Sequence, residues 1–154
     1  MSQNEAAGLL AALGRQVDIA ELALDEAGCC VLAFDDVVLH FEADGQSGRL
    51  FLYADLGDAP DGLGEAFHRE LLAANLMWQG TGGATLSLDP AGRRFVLGHA
   101  VPVDRIGEGD FVATVERFVD IAEIWQRRIA DAGSQAAEPV EPHPAGIMPP
   151  GLLA

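Results

Sequence analysis

The chain has 154 residues, enough for one domain with a buried core and a terminal extension, and its 49% hydrophobic content is typical of a folded protein. It carries 24 acidic side chains against 9 basic ones, all of them arginine, for a formal net charge of -15. This charge repels phosphate backbones and anionic lipids, so we expect no nucleic-acid or membrane partner, whereas a basic or charge-mixed polypeptide would be attracted.

The N-terminus and the cysteines predict a cytoplasmic protein without disulfides. Residues 1–5 lack the positive charge of a signal peptide, and no segment approaches the roughly 18 consecutive apolar residues of a membrane-spanning helix. Cys29 and Cys30 are neighbours in the chain, so a bond between them would close no stabilising loop. We expect both to be small thiols in a strand.

The first half of the chain predicts one helix followed by three strands. The helix has Ser2 or Asn4 as its N-cap, and the apolar residues at helical spacing are Leu9, Leu10, Leu13 and Val17. A nearly continuous apolar run at 29–34 and alternating apolar residues at 37–42 and 50–56 predict the strands. The residues at 35–36 and 44–48 are typical of tight turns, so the strands should form antiparallel hairpins.

The second half predicts a helix, a hairpin and a final helix. The first of these runs from Glu65 to about Trp78, and the hairpin pairs 84–88 with 95–101. The final helix should follow Asp110 as its N-cap. Its apolar stripe is the clearest periodic pattern in the chain: Phe111, Val115, Phe118, Ala122, Trp125 and Ile129. The order α-β-β-β-α-β-β-α predicts an α+β domain with a curved antiparallel sheet packed by helices.

The composition changes sharply after Gly133. Five of the eight prolines lie between Ser134 and Ala154, in a stretch with no apolar period. We therefore divide the chain into a folded domain at 1–132 and a disordered Pro-rich tail at 133–154.

The sequence contains none of the common enzymatic or metal-binding patterns. It has no lysine, which excludes a P-loop lysine or a Schiff base, and the glycines at 80–83 lack the third glycine of a dinucleotide fingerprint. The G-x-S-x-G elbow and the paired spacings of zinc ligands are also missing. We therefore predict no catalytic residue, no metal and no cofactor.

One catalytic alternative stays open at the cysteines. Cys29 or Cys30 could lie across the sheet from His40 or His99, and nucleophilic cysteine chemistry requires a base beside the thiol. The sequence offers no third group to orient the base. Asp35-Asp36 could similarly bind a cation, although two acids between strands are typical of a turn.

The chain has more large apolar side chains than one sheet face and one helix stripe can bury. The surplus residues are Val38, Phe51, Tyr53, Trp78, Ile121 and Ile124. Such side chains outside the main apolar faces are typical of subunit or partner interfaces. We therefore expect a protein that binds other polypeptides.

Several local motifs occur in a fixed order along the chain. An apolar strand precedes Asp35-Asp36, the helix segment Leu-Leu-Ala-Ala-Asn-Leu at 71–76 precedes a glycine-led strand at 82–89, and an aromatic stretch at 118–125 lies in the last helix. With the acidic charge, this arrangement resembles the class I type III secretion chaperones of the Tir-chaperone (CesT-like) family. The resemblance covers about residues 5–130.

The resemblance implies a bacterial cytoplasmic homodimer that makes and breaks no bond. It would hold the N-terminal segment of a secreted effector in extended form, soluble and ready for secretion, and would deliver it to the secretion ATPase or export apparatus. A regulatory protein that sequesters a regulator of type III secretion is an alternative with the same fold.

The resemblance also implies two sets of functional residues. The dimer interface would contain Leu71, Leu72, Leu76, Trp78, Leu86 and Leu88. The client-binding surface would contain Leu9, Leu13, Val38, Phe51 and Tyr53.

Overall fold

The computed structural model describes residues 2–137, which form an open five-stranded antiparallel sheet and three helices. In chain order the elements are α1 (Ser2–Gln16), β1 (Cys29–Phe34), β2 (Val37–Asp44), β3 (Arg49–Asp58), α2 (Glu65–Asn75), β4 (Thr85–Leu88), β5 (Arg94–Pro102) and α3 (Glu108–Ala137). A short 3-10 turn at Leu76–Trp78 follows α2. The predicted α+β class and order of elements are confirmed.

The strands lie in the order β1-β2-β3-β5-β4, so β1 and β4 form the two edges of the sheet. Phe34 pairs with Val37, which leaves Asp35 and Asp36 as a two-residue hairpin turn. Asp35 has a φ of 49°, a left-handed conformation that aspartate tolerates better than most residues. The acidic pair is therefore a turn, and it orients β1 and β2 antiparallel.

One face of the sheet packs against α1 and α3 and forms the core. The predicted stripe of α3, from Phe111 to Ile129, is buried at every position, and the ring of Phe111 approaches that of Phe41 in β2. In β3 the buried residues are Leu50, Leu52, Ala54 and Leu56, as the alternation predicts. The opposite face of the sheet carries no helix from the core layer, so its side chains remain accessible.

Helix α3 begins earlier and extends further than the sequence predicts. The helix α3 begins at Glu108, so Asp110 is not its N-cap. Asp110 lies in the first turn, where its negative charge interacts favourably with the positive end of the helix dipole. The same helix continues to Ala137, because Gly133 packs against Pro60 and keeps the last turns in contact with the domain. Residues 133–137 are therefore helical, and the rest of the predicted tail, 138–154, lies outside the described residues.

The second helix is also shorter than the sequence predicts. It ends at Asn75, and Met77 and Trp78 then adopt left-handed conformations with φ values of 52° and 54°. The chain therefore turns sharply before the glycines at 80–83, and the turn changes where the large side chains at 76–78 point.

Candidate functional site

The sheet face opposite α1 and α3 carries an apolar surface that we call the outer face: Val31, Val38, His40, Phe51 and Tyr53. The side chains of Val31 and Val38 are 57% and 44% exposed, and those of Phe51 and Tyr53 are 37% and 36% exposed. The rings of His40 and Tyr53 stack with centroids 4.9 Å apart. Partial burial and the nearby Glu42 carboxylate raise the pKa of the Tyr53 hydroxyl, so it stays a neutral hydrogen-bond donor.

A groove of about 720 Å³ runs across the outer face between Phe51 and Trp78. Gly98 and Ala100 line it, and their small size leaves depth between the aromatic walls. Concave, mostly apolar grooves of this kind accept side chains of a bound partner. Val38, Phe51 and Tyr53 are accessible on this surface, which is where a client could meet them, and their role stays a prediction.

A second apolar surface, the turn patch, lies at the end of α2 and consists of Leu72, Leu76, Met77 and Trp78. These side chains are between 54% and 74% exposed. Consecutive left-handed conformations at Met77 and Trp78 cost about 1 to 3 kcal/mol each, so the surrounding structure must hold them. Backbone strain of this kind is concentrated at functional sites.

The turn patch is held by contacts to α3 and within the turn. The indole Nε1 of Trp125, which is buried in α3, donates a hydrogen bond to the carbonyl oxygen of Gly80 at 3.1 Å. The carbonyl oxygen of Trp78 accepts hydrogen bonds from the backbone N–H groups of Thr81 and Gly82. These bonds fix the turn and keep the Trp78 indole on the surface beside the outer-face groove.

The predicted dimer residues fall into two groups. The exposed ones are Leu72, Leu76, Trp78 and Leu88, which are available to a second copy of the chain. Leu71 and Leu86 are each only 7% exposed and belong to the core between α2 and β4. Their own chain already buries these two side chains, and their part in a dimer stays a prediction.

The predicted client residues of α1 are not accessible either. Leu9 and Leu13 are 5% and 1% exposed and lie in the core with α3. An amphipathic helix shows the same periodicity whether its apolar stripe faces its own domain or a partner. Here the stripe packs inside the domain, so Leu9 and Leu13 are not on the accessible surface of the described chain, and their assignment to client contact stays a prediction.

The sequence analysis missed three residues that shape these surfaces. Val31 is the most exposed large apolar residue of the outer face. Met77 is the most exposed one of the turn patch, and the left-handed turn conformation places it there. Asn75 ends α2 and pairs with the backbone of β4. Its place in the 71–76 motif marked it in the sequence, but its partner Leu86 could be identified only in the fold.

The cysteines do not have the environment of a nucleophile. Desolvation and the nearby Asp25 carboxylate raise the pKa of both the Cys29 and the Cys30 thiol, which disfavours the reactive thiolate. The strand register places Cys29 opposite Glu42 and Cys30 opposite Phe41, so neither cysteine has a histidine as its strand partner.

The two strand histidines are engaged elsewhere. His40 lies opposite Val31 and stacks on Tyr53, while Nδ1 of His99 lies 2.6 Å from the carbonyl oxygen of Gly83. Within residues 2–137, no cluster of three or more His, Cys, Asp or Glu side chains is placed to hold a metal ion. In the same range no helix is both long and apolar enough to cross a membrane.

Comparison with known proteins decides the family. The model of the Tir chaperone protein (CesT) family matches residues 8–126. This chain belongs to that family. It is therefore a type III secretion chaperone, as the motifs at 71–76 and 82–89 suggested. The family is a family of chaperones. A comparison with curated proteins finds no match.

Several solved structures share the fold of this chain. A chain in the ExsC–ExsE complex is 28% identical, with a TM-score of 0.69 over 82% of this chain and 95% of that one. A chain of the HopA1–SchA chaperone–effector complex is 23% identical, with a TM-score of 0.64 over 85% of this chain and 97% of that one. The Yersinia pestis type III secretion chaperone SycH, solved with a fragment of YscM2, is 17% identical, with a TM-score of 0.62 over 77% and 98%.

Proposed function

We propose that this chaperone acts as a homodimer in the bacterial cytoplasm and holds the N-terminal segment of a secreted effector in extended form. The observation that carries the proposal is the uncovered apolar outer face beside an open strand edge. Extended segments bind such places by backbone pairing along the edge and by inserting alternate side chains into pockets. The bound segment stays unfolded, and its apolar side chains are shielded from aggregation.

The open edge lies on β1. The carbonyl oxygen of Gly28 accepts the N–H of Ala43, so the backbone groups of alternate residues, such as Leu32, point toward β2. Those of Val31 and Ala33 therefore point away from the sheet. Both side chains are exposed, and no element of the described chain pairs with this side of β1.

A neighbouring turn limits the length of that edge. The Asp25 side chain accepts the N–H of Cys29, and the backbone N–H of Asp25 donates to the carbonyl oxygen of Cys29. The outward groups of Cys29 are therefore occupied, whereas those of Val31 and Ala33 are free to pair. An added strand would place its side chains next to the outer face.

The turn patch supports the homodimer. Leu72, Leu76, Met77 and Trp78 form a contiguous exposed apolar surface of the kind that subunit interfaces bury. Its rigid turn presents the side chains without a further ordering cost. Because Trp78 also lines the outer-face groove, its side chain would take part in both dimer formation and client binding. Contact with the secretion ATPase or export apparatus remains an implication of the family.

Co-expression followed by affinity capture and mass spectrometry identifies the bound polypeptide. An exported effector as the captured chain supports the proposal, whereas a regulator of type III secretion supports the regulatory alternative. Recovery of no polypeptide would contradict both. A cysteine-dependent enzyme would require loss of function in a Cys29→Ser, Cys30→Ser double variant.

The edge itself is tested with the captured polypeptide and a matched pair of variants. Val31→Pro removes the outward N–H at an edge position where proline is tolerated, so the fold should survive while strand addition is blocked. Val31→Ala removes the same apolar contact but keeps the N–H. We expect Val31→Pro to lose at least tenfold more affinity than Val31→Ala. Equal losses would mean that the client binds by side chains alone.

A further inference from the structure

The two edges of the sheet differ in whether their outward backbone groups have hydrogen-bond partners, and one side chain causes the difference. The outward backbone groups of β4 are those of Leu86 and Leu88, because the N–H of Asp89 donates to the carbonyl oxygen of Arg94 on β5 and the direction alternates along the strand. Asn75, the last residue of α2, lies against this edge. Its Oδ1 accepts the Leu86 N–H at 2.8 Å, and its Nδ2 donates to the Leu86 carbonyl oxygen at 3.0 Å.

We propose that Asn75 is a positioning residue that closes the β4 edge by acting as a one-residue substitute strand. A side-chain amide presents one acceptor and one donor in the same arrangement as a peptide group. It can therefore satisfy both outward groups of Leu86, as a neighbouring strand would. The amide also fastens the end of α2 to the sheet, immediately before the left-handed turn at Met77 and Trp78.

The two hydrogen bonds to Leu86 require a side-chain amide at position 75. An aspartate would keep the acceptor for the Leu86 N–H but would place a carboxylate oxygen against the Leu86 carbonyl oxygen. A leucine or alanine would leave both backbone groups without a partner. An exposed strand edge with free N–H and C=O groups is a template for pairing with another chain.

Closing β4 has a consequence for the proposed function, on which this step rests. With β4 capped at Leu86 and β1 open at two successive outward positions, Val31 and Ala33, backbone pairing with an extended client is favoured at β1. A client strand on β1 lies beside the outer face, whereas one on β4 would lie against the turn patch. Asn75 would thereby keep the turn patch available for the second copy of the chain.

The first test needs no substitution and uses amide hydrogen exchange of the full chain. The N–H groups of Leu86 and Leu88 both point outward from β4, but within residues 2–137 only Leu86 is capped by a side chain. We expect the Leu86 amide to exchange at least about fivefold more slowly than the Leu88 amide. Equal exchange rates at the two amides would overturn the proposal.

The second test is Asn75→Ala, measured by hydrogen exchange and by analytical ultracentrifugation over a range of concentrations. We expect the Leu86 amide to lose its protection and the folded variant to form assemblies larger than the unsubstituted protein, through its opened edge. Asn75→Asp keeps an acceptor for the Leu86 N–H and loses only the donor to the Leu86 carbonyl oxygen, so it is the matched control in which the Leu86 amide should stay protected.

A rescue separates edge closure from a merely structural role. Leu88→Pro removes the next outward N–H of β4, at an edge position where proline is tolerated. Added to Asn75→Ala, it should restore the mass seen for Leu88→Pro alone. A folded Asn75→Ala protein with the unsubstituted mass, or assemblies that Leu88→Pro does not reverse, would overturn the proposal. Neither measurement uses a client. A negative result here therefore does not contradict client binding at β1, and a failure of client capture does not contradict the proposed role of Asn75.

Discussion

At the scale of single residues, the best-defined ionic contact joins Arg94 of β5 to β3. Its guanidinium Nε donates to Asp55 Oδ2, and Nη1 donates to Asp58 Oδ1 at 2.8 Å. Asp55 Oδ1 also accepts the N–H of Gly57, across the bulge where the pairing of β3 with β5 shifts. The Arg94 hydrogen bond, with a smaller contribution from the Gly57 N–H, holds the pKa of Asp55 below its usual value.

Asp55→Asn should therefore lower the free energy of unfolding by roughly 0.2 to 1 kcal/mol at neutral pH, because the pair is partly exposed to water. The asparagine keeps an acceptor for the Gly57 N–H, but its NH2 group replaces the oxygen that accepts from Arg94 Nε, so the charge and that hydrogen bond are lost together. Since the folded-state pKa is lowered, this stabilisation is present above the ordinary carboxyl pKa of about 3.9 and is lost as the pH falls through the folded value. Urea unfolding from pH 7 to pH 3 measures it.

The control for this prediction is Asp58→Asn. The Asp58 side chain is 83% exposed, so its contact with Arg94 should contribute less than that of Asp55. A difference between the Asp55→Asn variant and the unsubstituted protein that persists undiminished at pH 3 would show that charge is not the cause.

At the scale of elements, two glycines in α1 have opposite expected effects. A Cβ at Gly14 would lie 2.7 Å from the carbonyl oxygen of Ile19, because the chain after the helix folds back across it. Gly8 has no atom within 4 Å of that position. Gly14→Ala should therefore destabilise the protein by about 1 to 3 kcal/mol, whereas Gly8→Ala should stabilise it by up to about 1 kcal/mol.

Thermal or urea unfolding of the two alanine variants checks this prediction directly. Both substitutions raise helix propensity equally, so any difference between them reports the packing of the 17–22 segment on α1. If Gly14→Ala were as stable as Gly8→Ala, that segment would not lie against the helix as described.

The same contrast explains which features the sequence could predict. Periodicity depends on local geometry, so the stripe from Phe111 to Ile129 and the buried face of β3 were predicted correctly. Burial against a particular partner depends on distant parts of the chain. The sequence therefore could not show that Leu9 and Leu13 pack against α3, or that Leu86 is capped by Asn75.

Helix ends were predicted less well for a related reason. Asp110 has the side chain of an N-cap, yet acids are also favourable inside the first turn, and the helix begins two residues earlier at Glu108. The change in composition after Gly133 predicted the end of the domain at this residue. Gly133 nevertheless lies within α3, and it packs so closely against Pro60 that a larger side chain would collide with the proline. In both cases the residue type is compatible with a place at the helix end or inside the helix, and packing determines which one it occupies.

At the scale of the whole molecule, substitutions on the outer face can test the proposed client binding without disturbing the core. Phe51 and Leu52 are neighbours in β3 with side chains on opposite faces, 37% and 1% exposed. Phe51→Glu should leave the thermal unfolding midpoint nearly unchanged and weaken client capture roughly tenfold, because it places a charge in an apolar contact. Leu52→Glu, the matched control, should fail to fold. Undiminished capture by Phe51→Glu would exclude this face as the client surface.

The turn patch makes a corresponding prediction for the dimer. Light scattering of the unsubstituted protein should give twice the chain mass of 16.2 kDa. Leu72 is 71% exposed within one chain, so Leu72→Asp should leave the fold intact. In the dimer the same carboxylate would be buried without a partner, which is strongly unfavourable, and the variant should be a monomer at micromolar concentration.

Leu71, one position earlier in α2, provides the control for that substitution. Its side chain is 7% exposed and lies in the core of its own chain, so Leu71→Asp should unfold the protein instead of producing a folded monomer. Light scattering combined with circular dichroism distinguishes the two outcomes. A folded Leu72→Asp protein that still has twice the chain mass would place the dimer interface elsewhere, and the turn patch would then remain free for the client.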